Sequence, residues 1–215
     1  MERHYCRLKS CLIVLGILLL TCGCTGGDDQ GLLFRDDFDN PRSGWGADQR
    51  EEFERGYEEG EYFIELYQPN WFTWAYSGEQ FEDVSVETEA HLSSGSQGSH
   101  FGVLCRYVDV DNFYYFAISA DGYYAIFQRV DGGDLEVLTG DGNGMVPSPV
   151  IRTGEQTNRI LAVCQGDKLS LYVNGELLEM VTNDTHAQGD VGIGAGSGPG
   201  GGVRVQFDDF LVTRP

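Results

Sequence analysis

Aromatic side chains that could stack on sugar rings are concentrated in a few short segments. Residues 70–76 read NWFTWAY, and Trp71 and Trp74 within them are three apart, so on an extended chain they face opposite ways. Sugar rings stack their apolar faces on exposed aromatic rings, and acids or amides then hydrogen-bond the hydroxyls. These patterns favour a ligand site built from Trp71, Trp74, Arg106, Tyr114 and Tyr124. Packing inside a core is the competing interpretation for every one of these rings.

Carboxylates that could hold a metal ion stand near both ends of the main part of the chain. Asp36 and Asp37 lie near its start, and Asp208 and Asp209 lie near its end. If the terminal strands pair, these side chains converge, and calcium takes six to eight oxygen ligands. We therefore expect a structural calcium there, with solvated strand-end acids as the alternative.

Motifs of the common hydrolases are not found in the sequence. Retaining glycosidases use two carboxylates about 5 Å apart. The nearest pattern is Glu87 and Glu89 in VSVETEA, which share one face of a predicted strand, and their polar positions indicate solvent. Neither GxSxG nor HExxH occurs. The pattern favours a binding protein over an enzyme.

Two of the six cysteines, Cys105 and Cys164, lie beyond residue 24, each in the middle of a predicted strand. In an exported protein such cysteines can form a disulfide. A Cys105–Cys164 bond is therefore predicted, and two buried free thiols are the alternative.

The first 24 residues have the pattern of an export signal. Three basic side chains in residues 1–10 precede the apolar stretch CLIVLGILLL, which is shorter than the roughly 20 residues of a membrane-spanning helix. The ending resembles a bacterial lipoprotein signal, with Cys24 as the lipidated residue and Cys22 as second choice. An ordinary cleaved signal is the other interpretation. We expect residues 25–31 to form a flexible tether, and the protein to be extracytoplasmic and membrane-anchored.

The composition excludes one class of partner. The chain has 215 residues with 34 acidic and 14 basic side chains, a formal net charge of -20. Such a surface does not bind nucleic acid or an anionic membrane non-specifically.

The elements that must position these residues are strands. Apolar and polar residues alternate with period two repeatedly after residue 31, and no convincing helical period occurs. Asp-Gly and Asn-Gly pairs mark tight turns, and the glycine run 194–202 predicts a long hairpin loop. About a dozen antiparallel strands in a single domain, residues 32–215, predict an all-β two-sheet sandwich. The predicted strands are 61–67, 84–92, 100–108, 113–119, 123–130, 135–138, 159–165, 168–173, 177–182, 190–195 and 203–212.

Four segments, at 107–132, 157–178, 189–197 and 205–212, resemble the laminin-G/concanavalin A-like jelly roll. The closest variety is that of bacterial exported proteins and of the family named for 3-keto-disaccharide hydrolase, whose start is similar to FRDDFDNPRSGW at 34–45. The resemblance implies two antiparallel sheets of about six strands each, with the terminal strands side by side. It also implies a glycoside-acting enzyme.

We therefore expect a non-catalytic, membrane-anchored lipoprotein whose sandwich binds a glycan or another component of the cell envelope. The alternatives are the glycoside-acting enzyme and a structural or adhesive module without a small ligand.

Overall fold

A computed structural model describes Met1 and residues 31–215. The predicted signal peptide, Cys24, Cys22 and nearly all of the predicted tether lie outside the described residues. No helix in the described part of the chain is long and apolar enough to cross a membrane.

The described residues form sixteen strands in two antiparallel sheets, which confirms the all-β prediction. The strands are β1 (Leu32–Asp36), β2 (Asp48–Gln49), β3 (Phe53–Glu58), β4 (Glu61–Leu66), β5 (Phe72–Phe81), β6 (Val84–Ser94), β7 (His100–Asp109), β8 (Asn112–Ser119), β9 (Tyr123–Arg129), β10 (Glu136–Val137), β11 (Val146–Pro147), β12 (Asn158–Gln165), β13 (Lys168–Val173), β14 (Glu176–Thr182), β15 (Gly189–Gly196) and β16 (Val203–Thr213).

The first sheet has nine strands in the order β14-β13-β12-β6-β16-β4-β3-β2, and β1 also pairs with β16. The second sheet has seven, in the order β10-β9-β8-β7-β15-β5, with β11 added on β9. The pairing of β1 with β16 confirms that the two terminal strands lie side by side. The architecture is an antiparallel two-sheet jelly-roll sandwich of the concanavalin A-like type.

The main core lies between the two sheets and follows from the alternation along each strand. On β6, Val84, Val86, Thr88, Ala90 and Leu92 point inward and are buried, while Ser85, Glu87, Glu89 and His91 point out. Such alternation gives each sheet one apolar inner face, and the two inner faces pack together.

The disulfide between Cys105 and Cys164 is present. Cys105 lies on β7 of the second sheet and Cys164 on β12 of the first, so the bond joins the two sheets through the core. It links residues 59 positions apart in the sequence.

A β-bulge at Arg106 interrupts the alternation on β7. Arg106 has a φ of 52°, and the register with β8 shifts between Cys105 and Asp109. Beyond the bulge the faces are exchanged, so Tyr107 packs on the outer face of the sheet and not beside Cys105.

The glycine run does not form the predicted hairpin loop. Gly194 and Gly196 belong to β15, and the segment after them crosses from the second sheet to β16 of the first. β15 and β16 are interior strands of the two sheets, and the segment that joins them contains Gly201 and Gly202, which both have positive φ.

Candidate functional site

The two outer faces of the sandwich differ in chemistry. The outer face of the first sheet is charged: Arg204 pairs with Glu58 and Glu65, and Arg159 pairs with Glu87 and Glu89. Glu87 and Glu89 are thus held by an exposed arginine on this face. Glu89 lines a pocket of about 340 Å³ together with Arg159, but Glu87 is not part of that lining, so the two do not flank a cleft as a glycosidase pair would.

The outer face of the second sheet carries a second apolar cluster, separate from the main core. Its rings are in mutual contact, with Phe72 and Trp74 centroids 5.4 Å apart and the Tyr76 and Tyr107 rings stacked at 5.0 Å. We call this cluster the aromatic face and define it by Phe72, Trp74, Tyr76, Tyr107, Phe113, Tyr115 and Phe127. Phe113, Tyr115 and Phe127 are buried, and the rings of β5 are half-buried or exposed.

Glycines on β15 make room for these rings. A Cβ atom at Gly194 would lie 3.2 Å from the Phe72 ring, and one at Gly196 would collide with the His100 ring. Because β15 contributes no side chain there, the aromatic rings of β5 and the His100 ring lie across it. The aromatic face therefore requires glycine at these positions of β15.

His100 and Tyr115 form a hydrogen-bonded pair within the aromatic face. The Tyr115 hydroxyl donates to the Gly194 carbonyl (3.2 Å) and lies 3.2 Å from His100 Nδ1. Since the hydroxyl hydrogen is used on Gly194, His100 Nδ1 is the donor to Tyr115. Burial lowers the pKa of His100 to about 4 and raises the pKa of Tyr115 well above its usual value. Both groups are therefore neutral at pH 7.

A groove of about 410 Å³ opens at one end of the aromatic face. We call it the Trp71 groove, and Trp71 beside it is 39% exposed. One side is formed by the chain entering β5 and the other by the chain leaving β9. The lining consists of Asn70, Trp71, Phe72, Arg129, Gly133, Asp134 and Leu135.

The backbone of Trp71 is fixed by Ser197, which follows β15. The Trp71 amide donates to the Ser197 hydroxyl (3.0 Å), and the Ser197 amide donates to the Trp71 carbonyl (2.9 Å). The same hydroxyl donates to the carbonyl of Gln68 (2.6 Å). An exposed ring on a backbone held this firmly is a preorganised platform.

Arg129 ends β9 on the opposite side of the groove. Its Nη2 donates to the Gly132 carbonyl at 3.3 Å, whereas its Nε is buried without a partner. Arg129 forms no ion pair with any residue that the structure describes. Its backbone is held in place, because its carbonyl lies 2.9 Å from His186 Nε2.

Three of the five predicted ligand residues are placed elsewhere. Arg106 is 1% exposed, and its guanidinium donates to the carbonyls of Glu82, Gly166 and His186. The bulge turns the Arg106 side chain inward, where its hydrogen bonds connect three loops of the chain. Tyr114 is fully buried in the main core, and its hydroxyl donates to Asn183 Oδ1 (2.5 Å).

Tyr124 also faces the main core, and its hydroxyl donates to the Leu178 carbonyl (3.3 Å). Arg106, Tyr114 and Tyr124 therefore do not join Trp71 and Trp74 in one site, because each lies on the inner side of its strand, and a ligand role for them stays a prediction from the sequence. Trp74 lies on the outer side, half-buried in the aromatic face. Trp71 precedes β5, so strand alternation does not set its direction, and it lies exposed at the groove.

The four predicted calcium ligands do lie near the paired terminal strands, but Asp36 is already engaged. Its carboxylate accepts from the Phe38 amide and from Trp45 Nε1, each at 2.8 Å. Asp209 pairs with Arg35 at 3.3 Å.

Asp208 is partly buried, which raises its pKa, and the nearby charges of Asp209, Glu89 and Asp37 raise it further. Within residues 31–215, no three His, Cys, Asp or Glu side chains are grouped so as to hold a metal. Calcium binding stays a prediction from the sequence.

Sequence reasoning missed Phe72, Tyr76, Arg129 and Asp134. Alternation along β9 gave no usable signal for Arg129, because both faces of the strand are apolar: Ile126 faces the main core, and Phe127 faces the other side with Arg129. On β5 the signal was weak, because small inward residues such as Ala75 left large rings on the outer side.

No protein-family model matches the sequence, and no curated protein matches it. Solved structures do resemble the fold. A protein of unknown function with a galectin-like fold from Bacillus subtilis has a TM-score of 0.63 at 10% identity, covering 85% of this chain and 96% of that one. A carbohydrate-binding module from Bacillus subtilis has a TM-score of 0.54 at 15% identity, covering 80% and 92%.

The catalytic domain of an endo-1,3-β-glucanase (laminarinase) from Thermotoga petrophila has a TM-score of 0.58 at 13% identity, covering 85% of this chain and 97% of that domain. These similarities confirm the sandwich fold. Membership of the family named for 3-keto-disaccharide hydrolase stays a prediction. Similar folds serve different functions, so function must be argued from the Trp71 groove and the aromatic face.

Proposed function

We propose that this chain is a non-catalytic glycan-binding protein that holds its sugar in the Trp71 groove. The observation that carries the proposal is the exposed Trp71 ring, fixed by Ser197 beside a groove with polar groups on its other side. The volume of about 410 Å³ lies within the range of small-ligand sites.

The groove offers both kinds of contact that a sugar needs. The Trp71 and Phe72 rings supply apolar surface for the C–H face of a pyranose or furanose. Asn70 and Asp134 supply an amide and a carboxylate for its hydroxyls. The aromatic face continues from Phe72 to Trp74 and Tyr76 along β5, which gives a second and third sugar of a chain further rings to contact.

Binding without hydrolysis fits the composition of the groove. Its lining, within the described residues, includes one carboxylate, that of Asp134. Glycosidases commonly use two carboxyl groups flanking the bond that is cleaved. Glu87 and Glu89, the pair suggested by the sequence, lie on the first sheet and pair with Arg159.

The proposal includes the location of the protein. A diacylglyceryl group on Cys24 would hold this acidic domain at the outer side of a membrane, near envelope glycans. Labelling with a radioactive fatty acid in a bacterial host tests it: Cys24→Ala should lose the label, and the matched Cys22→Ala should keep it. A label retained by Cys24→Ala contradicts this part of the proposal.

The test of glycan binding uses a glycan array, with and without calcium, followed by calorimetry on the glycans retained. Trp71→Ala should lower the affinity about tenfold or more, since tryptophan is the costliest side chain to remove from many interfaces. Tyr67→Ala is the matched control, because Tyr67 is also 39% exposed and bonds to Glu54 outside the groove. Binding to no glycan at high protein concentration, or equal effects of both variants, contradicts the proposal.

A further inference from the structure

We infer that the glycan bound in the Trp71 groove is anionic, with a carboxylate or sulfate group that pairs with Arg129. The inference rests on the proposed function and adds the chemical class of the ligand. It depends on the hydrogen bonds and the burial of the Arg129 guanidinium group.

Arg129 is a half-buried cation with little compensation from the protein. Its one hydrogen bond from the guanidinium within the described residues is Nη2 to the Gly132 carbonyl, at 3.3 Å. Its Nε has no partner, and no described carboxylate forms an ion pair with it. Asp134 lines the same groove without pairing with it. A partly desolvated charge without a counterion is costly, and a bound anion removes that cost.

Two other arginines of this chain, Arg106 and Arg204, have hydrogen-bond acceptors and charged partners that Arg129 lacks among the described residues. The buried Arg106 donates to three carbonyls and contacts Asp83 at 3.4 Å. Arg204 pairs with two glutamates and lies over the Phe63 ring at 4.0 Å. Arg129 differs from both. Arg55 also has a buried Nε without a partner, but its guanidinium lies 5.8 Å from the centre of the Phe53 ring and does not line the groove, whereas Arg129 lines a groove that also presents Trp71.

The geometry of a guanidinium suits the proposed group. Its planar fork binds carboxylate or sulfate oxygens through paired hydrogen bonds, which neutral hydroxyls match less well. The net charge of -20 repels anions at a distance, but at physiological salt that repulsion is screened beyond about 8 Å. Contact with Arg129 within the groove is not screened in this way. Recognition is therefore local, and Trp71 supplies the stacking surface beside it.

The experiment compares matched pairs of polysaccharides that differ in charge. Polygalacturonate is paired with its methyl ester, and dextran sulfate with dextran, and each is titrated into the protein by calorimetry. We expect the charged member of at least one pair to bind about tenfold to hundredfold more tightly, which is the range for a charge-assisted hydrogen bond.

Three variants separate the causes. Arg129→Gln should abolish the preference for the charged member, and Arg129→Lys should keep part of it. Arg159→Gln, which removes an equal charge from the other sheet, should keep all of it. Thermal melts of each variant establish that it is folded.

The outcomes for the inference and for the proposed function differ. Equal binding of charged and neutral members, still lost in Trp71→Ala, overturns the inference and leaves glycan binding in place. A preference that survives in Arg129→Gln also overturns the inference. Binding of no polysaccharide on these pairs or on the glycan array overturns both.

Discussion

Trp71 and Ser197 are joined by two hydrogen bonds to the Trp71 backbone, although they lie 126 residues apart in the sequence. One runs from the Trp71 amide to the Ser197 hydroxyl and the other from the Ser197 amide to the Trp71 carbonyl. This contact fixes the entry of β5 against the exit of β15. The position of the exposed indole therefore depends on Ser197, a residue that does not itself line the groove.

Ser197→Ala is expected to weaken glycan binding about threefold to tenfold while leaving the fold intact. The change removes the acceptor of the Trp71 amide and the donor to the Gln68 carbonyl, each worth about 1 kcal/mol. The Trp71 platform should then sample more orientations. Calorimetry on the glycan that binds wild type measures the effect. Ser197→Thr keeps the hydroxyl and serves as the control. Unchanged affinity in Ser197→Ala would show that the hydrogen bonds of the Ser197 hydroxyl do not position the Trp71 ring.

Loss of the Cys105–Cys164 bond should lower the free energy of unfolding by about 4 kcal/mol, from the entropy of a loop of 59 residues. Denaturant unfolding of the double variant Cys105→Ala/Cys164→Ala measures it. Wild type kept in reductant should lose a similar amount. Recovery of both cysteines as free thiols in unreduced, unfolded protein is the result that contradicts the bond.

Arg106→Met should destabilise the protein by about 3 kcal/mol or more. The replacement keeps much of the volume but leaves three carbonyls, including those of Gly166 and His186, without their donor. Arg159→Met is the matched control, because its ion pairs are exposed and worth about 1 kcal/mol or less. Urea unfolding distinguishes the two. Equal losses in the free energy of unfolding would mean that the buried hydrogen bonds of Arg106 do not stabilise the fold.

Stability should depend on pH through His100. Burial lowers its pKa in the folded state to about 4, whereas an unfolded histidine titrates near 6.5. Between these values the unfolded chain binds the extra proton, so the contribution of His100 to stability is complete above about pH 6.5. It is lost progressively as the pH falls to about 4.

The measurement is the free energy of unfolding of wild type and His100→Gln across pH 4 to 7. The difference between the two curves should change steadily over that window. A constant difference would contradict a buried, neutral His100.

The sequence predicted most of the longer strands, but β1, β3 and β5 were not among the predicted strands. Alternation on β6 placed Val84 and Val86 inside and Glu87 outside, because a period-two pattern directly reports a half-buried strand. The disulfide was predictable for the same reason, since Cys105 and Cys164 both lie on inward positions.

The candidate site was harder to predict, because three of its determinants are not properties of a strand pattern. The bulge at Arg106 exchanges the faces of β7 within a run of plausible strand residues. The two faces of β5 differ in the size of their side chains and not in polarity, with the small Ala75 inside and the large Trp74 outside. The Trp71 groove depends on contacts with residues far along the chain, such as Ser197 and Arg129.

The most direct test of glycan binding at the Trp71 groove uses the three tryptophans of the sequence as internal probes. Trp71 lies at the groove, Trp74 lies on the aromatic face, and Trp45 is 3% exposed in the core with its Nε1 bonded to Asp36. In ¹⁵N-labelled protein each gives one indole N–H signal, assigned by single Trp→Phe variants.

Titration with a glycan that binds should shift the Trp71 signal most and the Trp74 signal less, and should leave the Trp45 signal in place. A saturating glycan that moves none of the three, or that moves Trp45 while Trp71 stays fixed, would contradict binding at the Trp71 groove.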